Sequence, residues 1–252
     1  MSTVYHYIID KTKAGKKLFA VLIDPEKCIG ERLTQLIQKA DKAQPDFILV
    51  GGSQLTKSVE QTVIAIKALT NIPVVLFPGN AMQISDQCDA ILLLSLLSGK
   101  NSEYIIGQHI KAAKQIKQSG VEVISTGYLL IDGGCRSAVE QVSGTLPLPA
   151  DATDLITRTA IAGELLGCKL IYLEAGSGAK RPISGDTIKA VKRECHIPLI
   201  VGGGIVSTTQ LTAAMDSDAD LVVVGNHFET HPDDLAKFCR CVAEYNQKSR
   251  LH

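Results

Sequence analysis

The chemistry-bearing residues of this 252-residue chain gather around one acid, Glu174, in the stretch Tyr172-Leu-Glu-Ala-Gly-Ser-Gly178. An apolar run delivers the carboxyl directly onto glycine-rich backbone. Desolvation at such a position raises a carboxyl pKa and suits it to accept a proton from a hydroxyl, while glycines let backbone approach an anion closely. The competing reading is a structural acid paired with Lys180 or Arg181. If the run is a strand, Tyr172 lies on the same face as Glu174, either as its hydrogen-bonding partner or as packing with a satisfied hydroxyl.

Two more apolar runs end in glycine, VGGGI at 201–205 and VVVGN at 222–226. Gly203, Gly204, Gly225 and Asn226 therefore join Gly176, Ser177 and Gly178 as candidates for holding a phosphate on backbone N–H groups, against the plain alternative of turn chemistry. Ser207 and Thr208 have the character of a helix N-cap whose positive end would face the same place. Earlier in the chain, Asp24 opens the sequence Asp-Pro-Glu-Lys and Ser53 follows two glycines. A carboxylate with a nearby hydroxyl suits a magnesium ion that takes its other oxygens from water and phosphate. Either residue alone also reads as a turn or cap.

Other features carry less. The six histidines are scattered; only His227 and His231 lie close together, and both read as surface residues. Gly176-Ser-Gly178 begins like a dinucleotide fingerprint, but Arg181 stands where the third glycine is needed and the loop follows a late strand, which disfavours a nicotinamide enzyme. Lys169 falls at the start of its strand, the wrong end for a Schiff-base aldolase. With 26 basic and 26 acidic residues the chain is formally neutral, against a nucleic-acid footprint. Seven cysteines without paired zinc-type spacing read as reduced thiols of a cytoplasmic protein. Asp10, Lys11 and Lys13 precede any long apolar run, unlike a signal peptide, and the apolar run at 91–97 is too short for a membrane helix, which needs roughly 20 residues.

The elements that must position these residues repeat. Apolar runs at 18–23, 47–50, 74–77, 90–96, 121–125, 170–173, 199–201 and 221–224 predict strands. Helical spacing lies between most of them, at 31–43, 58–69, 103–119, 152–166, 185–194, 207–216 and 233–246. Eight βα units in one chain of this length predict a single (β/α)8 TIM-barrel domain over 1–252, with an open doubly wound sheet as competitor. Between Phe77 and Asp89 the spacing is too short for a helix and two loops, so the third helix is expected to be stunted or missing. Residues 127–150, rich in glycine and proline, predict a long connection after the fifth strand. Val4, Tyr5, Ile8 and Ile9 predict a short helix closing the opposite end.

Together, IDPEK at 23–27, GGS at 51–53, GYLLIDGG at 127–134, YLEAGSGA at 172–179, VGGGI and VVVGN resemble, in order and over nearly the whole chain, the geranylgeranylglyceryl phosphate synthase family. The resemblance implies a prenyltransferase that joins geranylgeranyl diphosphate to sn-glycerol 1-phosphate, releasing diphosphate, in ether-lipid synthesis. It implies magnesium on Asp24 and Ser53. Glycerol phosphate would lie on Tyr172, Leu173, Glu174, Ala175, Gly176, Ser177, Gly178, Gly203, Gly204, Gly225 and Asn226, with Glu174 as base, and the protein would be a homo-oligomer. Leu22 stands where one branch of the family has lysine, leaving Lys27, Lys180 or Arg181 as phosphate cations. The alternatives are a heptaprenyl or other chain-length synthase, a phosphosugar isomerase or lyase, and an inactive phosphate-binding protein.

Overall fold

A computed structural model describes residues 3–52 and 58–248. Eight parallel strands close into a barrel in chain order: β1 (Leu18–Ile23), β2 (Phe47–Val50), β3 (Val74–Leu76), β4 (Ala90–Leu96), β5 (Glu122–Leu130), β6 (Leu170–Glu174), β7 (Leu199–Gly202) and β8 (Leu221–Val224). Around them run α1 (Val4–Lys13), α2 (Gly30–Ala43), α3 (Val59–Lys67), α4 (Gln108–Ser119, entered through a π-helical turn at Glu103–Gly107), α5 (Ala138–Ser143), α6 (Thr153–Leu165), α7 (Gly185–Glu194), α8 (Thr208–Asp216), α9 (Asn226–Thr230) and α10 (Leu235–Lys248). The strand period of two sorts side chains into two cores. Leu18, Ala20, Leu170 and Tyr172 fill the barrel, whereas Phe19, Val21, Ile171 and Leu173 pack outward against the helices.

Both ends of the barrel are built by recognisable devices. At the N-terminal end α1 inserts Val4 and Ile8 into the inner core, and the Glu122 carboxylate accepts from the Val4 and Tyr5 N–H groups, at 2.7 and 3.2 Å, at the helix's positive end. Below it, the aspartate preceding a strand repeatedly accepts the N–H of the strand before: Asp46 from Phe19 at 2.9 Å, Asp89 from Val74 at 2.8 Å and Asp220 from Leu199 at 2.8 Å. Between β5 and β6 Lys169 holds that position, and its N–H donates instead to Ser125 Oγ at 3.1 Å. Asp220 is buried and also receives Lys192. Asp220→Ala is therefore expected to cost about 3 kcal/mol in thermal or urea unfolding, by stranding a buried N–H and an ammonium, while leaving the opposite rim unchanged.

No helix lies between β3 and β4, so the third helix is missing outright. Gln83, only 2% exposed, occupies the connection; its amide accepts from Gly79 N–H at 3.1 Å and donates to Gly52 carbonyl at 2.7 Å, fixing the loop after β2. β5 runs five residues beyond its expected end. Gly127, which reads as the start of a loop, is instead a site of close packing, since an added Cβ would come within 2.9 Å of Leu97 and 3.0 Å of Ile171. Only the remainder of the long connection is loop, and it carries α5, capped by Ser137 Oγ accepting from Glu140 N–H. All seven cysteines are free thiols. Among the described residues no helix is long and apolar enough to cross a membrane.

Candidate active site

The C-terminal ends of β1, β2, β6, β7 and β8 open into a cavity of about 550 Å³. Glu174, the last residue of β6, is 7% exposed and lines it. Burial pushes its carboxyl up to about 7, against the opposing pull of hydrogen bonds from Gly176 N–H, at 2.7 Å to Oε1, and from the Tyr172 hydroxyl. At that value the group ionises near neutrality and can take a proton from an alcohol. Tyr172 thus serves as the hydrogen-bonding partner. Lys180 and Arg181 are not neighbours that neutralise Glu174: the guanidinium of Arg181 lies against Gly134, and neither residue lines the cavity.

The glycine-rich strand ends converge as the barrel register requires, Glu174 standing opposite Gly202. The absent side chain at Gly202 is what admits Tyr172 and Glu174, because a Cβ there would sit 2.3 Å from the Tyr172 hydroxyl. Gly176, Ser177, Gly178, Gly203, Gly204, Gly225 and Asn226 all line the cavity. Asn226 Nδ2 donates to Ser177 Oγ at 2.7 Å, tying the loop after β8 to the loop after β6. Ser207 is the N-cap of α8, its Oγ accepting from Gln210 N–H. Leu173 and Ala175 depart from the expected set. The strand alternation turns both side chains into the outer core, so only their backbone can serve a ligand.

Across the cavity stands Asp24. Its Oδ1 accepts from Glu26 N–H at 3.0 Å, the turn role, while Oδ2 faces the Lys27 ammonium at 3.3 Å. One oxygen thus shapes the turn and the other already meets a cation. Among the described residues no group of three or more His, Cys, Asp or Glu could hold a metal, so an ion on Asp24 would draw most ligands from water and phosphate, a donor set that suits magnesium. Ser53 lies outside the described residues. Of the three cations considered for phosphate, Lys27 alone lines the cavity.

Several residues emerge only from the fold. Tyr128 of β5 pairs in register with Tyr172, and Phe77, Tyr128 and Tyr172 form a triangle with ring centroids 5.3 to 5.8 Å apart that floors the cavity. The motif GYLL carries the signal for Tyr128, but its glycine reads as the start of a loop and masks the strand. Glu229 lines the rim from α9, which the spacing did not predict. His227 is not a surface residue: α9 turns it inward, where Nε2 meets Asp234 at 3.0 Å and the ring stacks on His231 at 4.9 Å. His231 is exposed.

The PcrB family profile matches residues 10–242. The chain belongs to the PcrB family. Among its relatives, the geranylgeranylglyceryl phosphate synthase of Spirosoma linguale is 46% identical over 239 residues, covering 94% of this chain and 96% of that one. That of Korarchaeum cryptofilum is 38% identical, over 89% and 92%. The crystal structure of (S)-3-O-geranylgeranylglyceryl phosphate synthase from Thermoplasma acidophilum with sn-glycerol-1-phosphate superposes with a TM-score of 0.91 at 33% identity, covering 97% of this chain and all of that one. The PcrB-family match spans every strand, and both rims of the cavity fall inside it.

Proposed function

We propose that this chain is a prenyltransferase that joins geranylgeranyl diphosphate to sn-glycerol 1-phosphate, releasing diphosphate. The observation that carries the proposal is the position of Glu174: a buried base between converging glycine loops and an aromatic floor that continues into an apolar groove. The names of the relatives and the substrate bound in the Thermoplasma acidophilum structure support it. The loops at 176–178, 203–204 and 225–226 hold the acceptor phosphate on backbone. Glu174 orients a glycerol hydroxyl and takes its proton as the oxygen bonds to the allylic carbon and the carbon–diphosphate bond breaks, its electron pair leaving with diphosphate. Asp24 and Ser53 would hold a magnesium ion whose charge supports the departing diphosphate.

The donor end, which no motif marked, follows from the missing helix. Without a helix after β3, an apolar groove opens between the 77–84 segment, β4 and α4, lined by Ile84, Ile91, Leu93, Leu96, Ala112 and Ile116. Gly52, Phe77, Tyr128, Val139 and Val142 border both the groove and the cavity, so a chain could run from one to the other. Tyr104 Oη donates to Val142 carbonyl at 3.0 Å and Asn101 Nδ2 to Ser143 carbonyl at 2.7 Å, which seats α5 beside the groove. Filling it at Ala112→Leu is expected to lower kcat/KM for a C20 donor about tenfold relative to a C10 donor. Equal loss for both lengths would place the prenyl chain elsewhere.

The activity itself is tested with labelled sn-glycerol 1-phosphate, magnesium and prenyl diphosphates of several lengths. Organic-extractable label is expected, most with the C20 donor. Preference for a longer donor would favour the heptaprenyl alternative, and no extractable product from any donor would overturn the function.

A further inference from the structure

We propose that Lys27 is an exchangeable cation of the donor side: it occupies Asp24 until a metal–diphosphate complex arrives, then turns to the diphosphate while Glu229 keeps it anchored. The inference rests on the prenyl-transfer function above. Asp24 leaves β1 and Glu229 is carried by α9 just beyond β8, so two carboxylates meet where these neighbouring strands end. The Lys27 ammonium lies between them, 3.3 Å from Asp24 Oδ2 and 3.8 Å from Glu229 Oε1. Its side chain is 46% exposed, against 19% for Glu229, so the lysine is the mobile member and the glutamate the fixed one.

Charge explains why one lysine would serve two partners. With Lys27 between them, Asp24 and Glu229 keep one negative charge in excess, and Glu26, which also lines the cavity, adds another, so this side of the rim repels an incoming diphosphate. A divalent ion on Asp24 offsets that charge and releases Lys27 at once, adding a second cation within reach of the same anion. An ion pair with so exposed a member is weak enough to exchange. The role of Glu229 is to position Lys27.

The exchange predicts effects of opposite sign on metal and on diphosphate, whereas a lysine that only packs would move neither. In the full-length protein, Lys27→Met is expected to bind Mn2+ alone about tenfold more tightly, read from the free-ion electron paramagnetic resonance signal. Inorganic diphosphate in the presence of Mg2+ is expected to bind about tenfold more weakly, read by calorimetry. Glu229→Gln is expected to weaken diphosphate without tightening Mn2+, and circular dichroism would verify that both variants are folded. If wild type binds Mn2+ through Asp24 and Lys27→Met moves both affinities in one direction, or neither, the exchange is overturned while the function stands. If wild type binds no Mn2+ that Asp24→Asn removes, the exchange and the metal assignment fall together.

Discussion

Glu174→Gln is expected to lower kcat about 10³-fold while changing the affinity for sn-glycerol 1-phosphate less than threefold. The amide keeps the shape of the carboxyl and the bond from Gly176 N–H but cannot take a proton. Wild-type kcat/KM should rise with pH through about 7, because the base works only when ionised, and the variant should lose that limb. The same substitution should stabilise the fold. Burial raises this carboxyl from 4.5 to about 7, so the native state binds a proton that the unfolded state has released, and stability falls as pH rises between those values. The shift corresponds to about 3 kcal/mol above pH 7. The variant should therefore melt higher than wild type at pH 8 and converge with it near pH 4. A variant no more stable at pH 8, or one that loses acceptor binding as much as turnover, would count against a buried, ionising base.

Gly203→Ala should be nearly as damaging for turnover and, unlike the first variant, should destabilise. Gly203 has φ of +82°, and a methyl there would meet Glu174 Oε1 at 2.5 Å and the Ala175 and Gly176 nitrogens at 2.8 Å. Two of these three contacts are backbone and cannot swing aside. The left-handed conformation alone costs an L side chain about 1–2 kcal/mol. With the clash, a loss of about 3 kcal/mol in unfolding free energy and at least 100-fold in kcat/KM is expected. A variant that unfolds like wild type would mean that this loop is not packed on the Glu174 carboxyl.

Parallel strands buried on both faces read as unbroken apolar runs, which is why 18–23, 47–50 and 221–224 coincide with β1, β2 and β8. The glycine loops were equally legible, because their backbone demands glycine where the chain nears Glu174. Long-range packing was not. Gly127 reads as a turn unless the outer faces of β4 and β6 are known, and with it went Tyr128. The contact of Asn226 with Ser177 spans 49 residues and leaves no local pattern. The missing third helix was legible in the short spacing from Phe77 to Asp89, but the apolar groove that it leaves, lined from β4 and α4, was not. Glu229 and His227 sit on α9, five residues long and too short to show a helical period.

The most direct measurement of the central claim is a crystal structure of the Glu174→Gln variant with sn-glycerol 1-phosphate. The phosphate should lie on the loops at 176–178, 203–204 and 225–226. A glycerol hydroxyl should lie within about 2.6–3.2 Å of the side chain at position 174, facing the Phe77–Tyr128–Tyr172 floor. A phosphate seated instead beside Asp24 and Lys27, with no hydroxyl near position 174, would contradict the assignment of acceptor site and base alike.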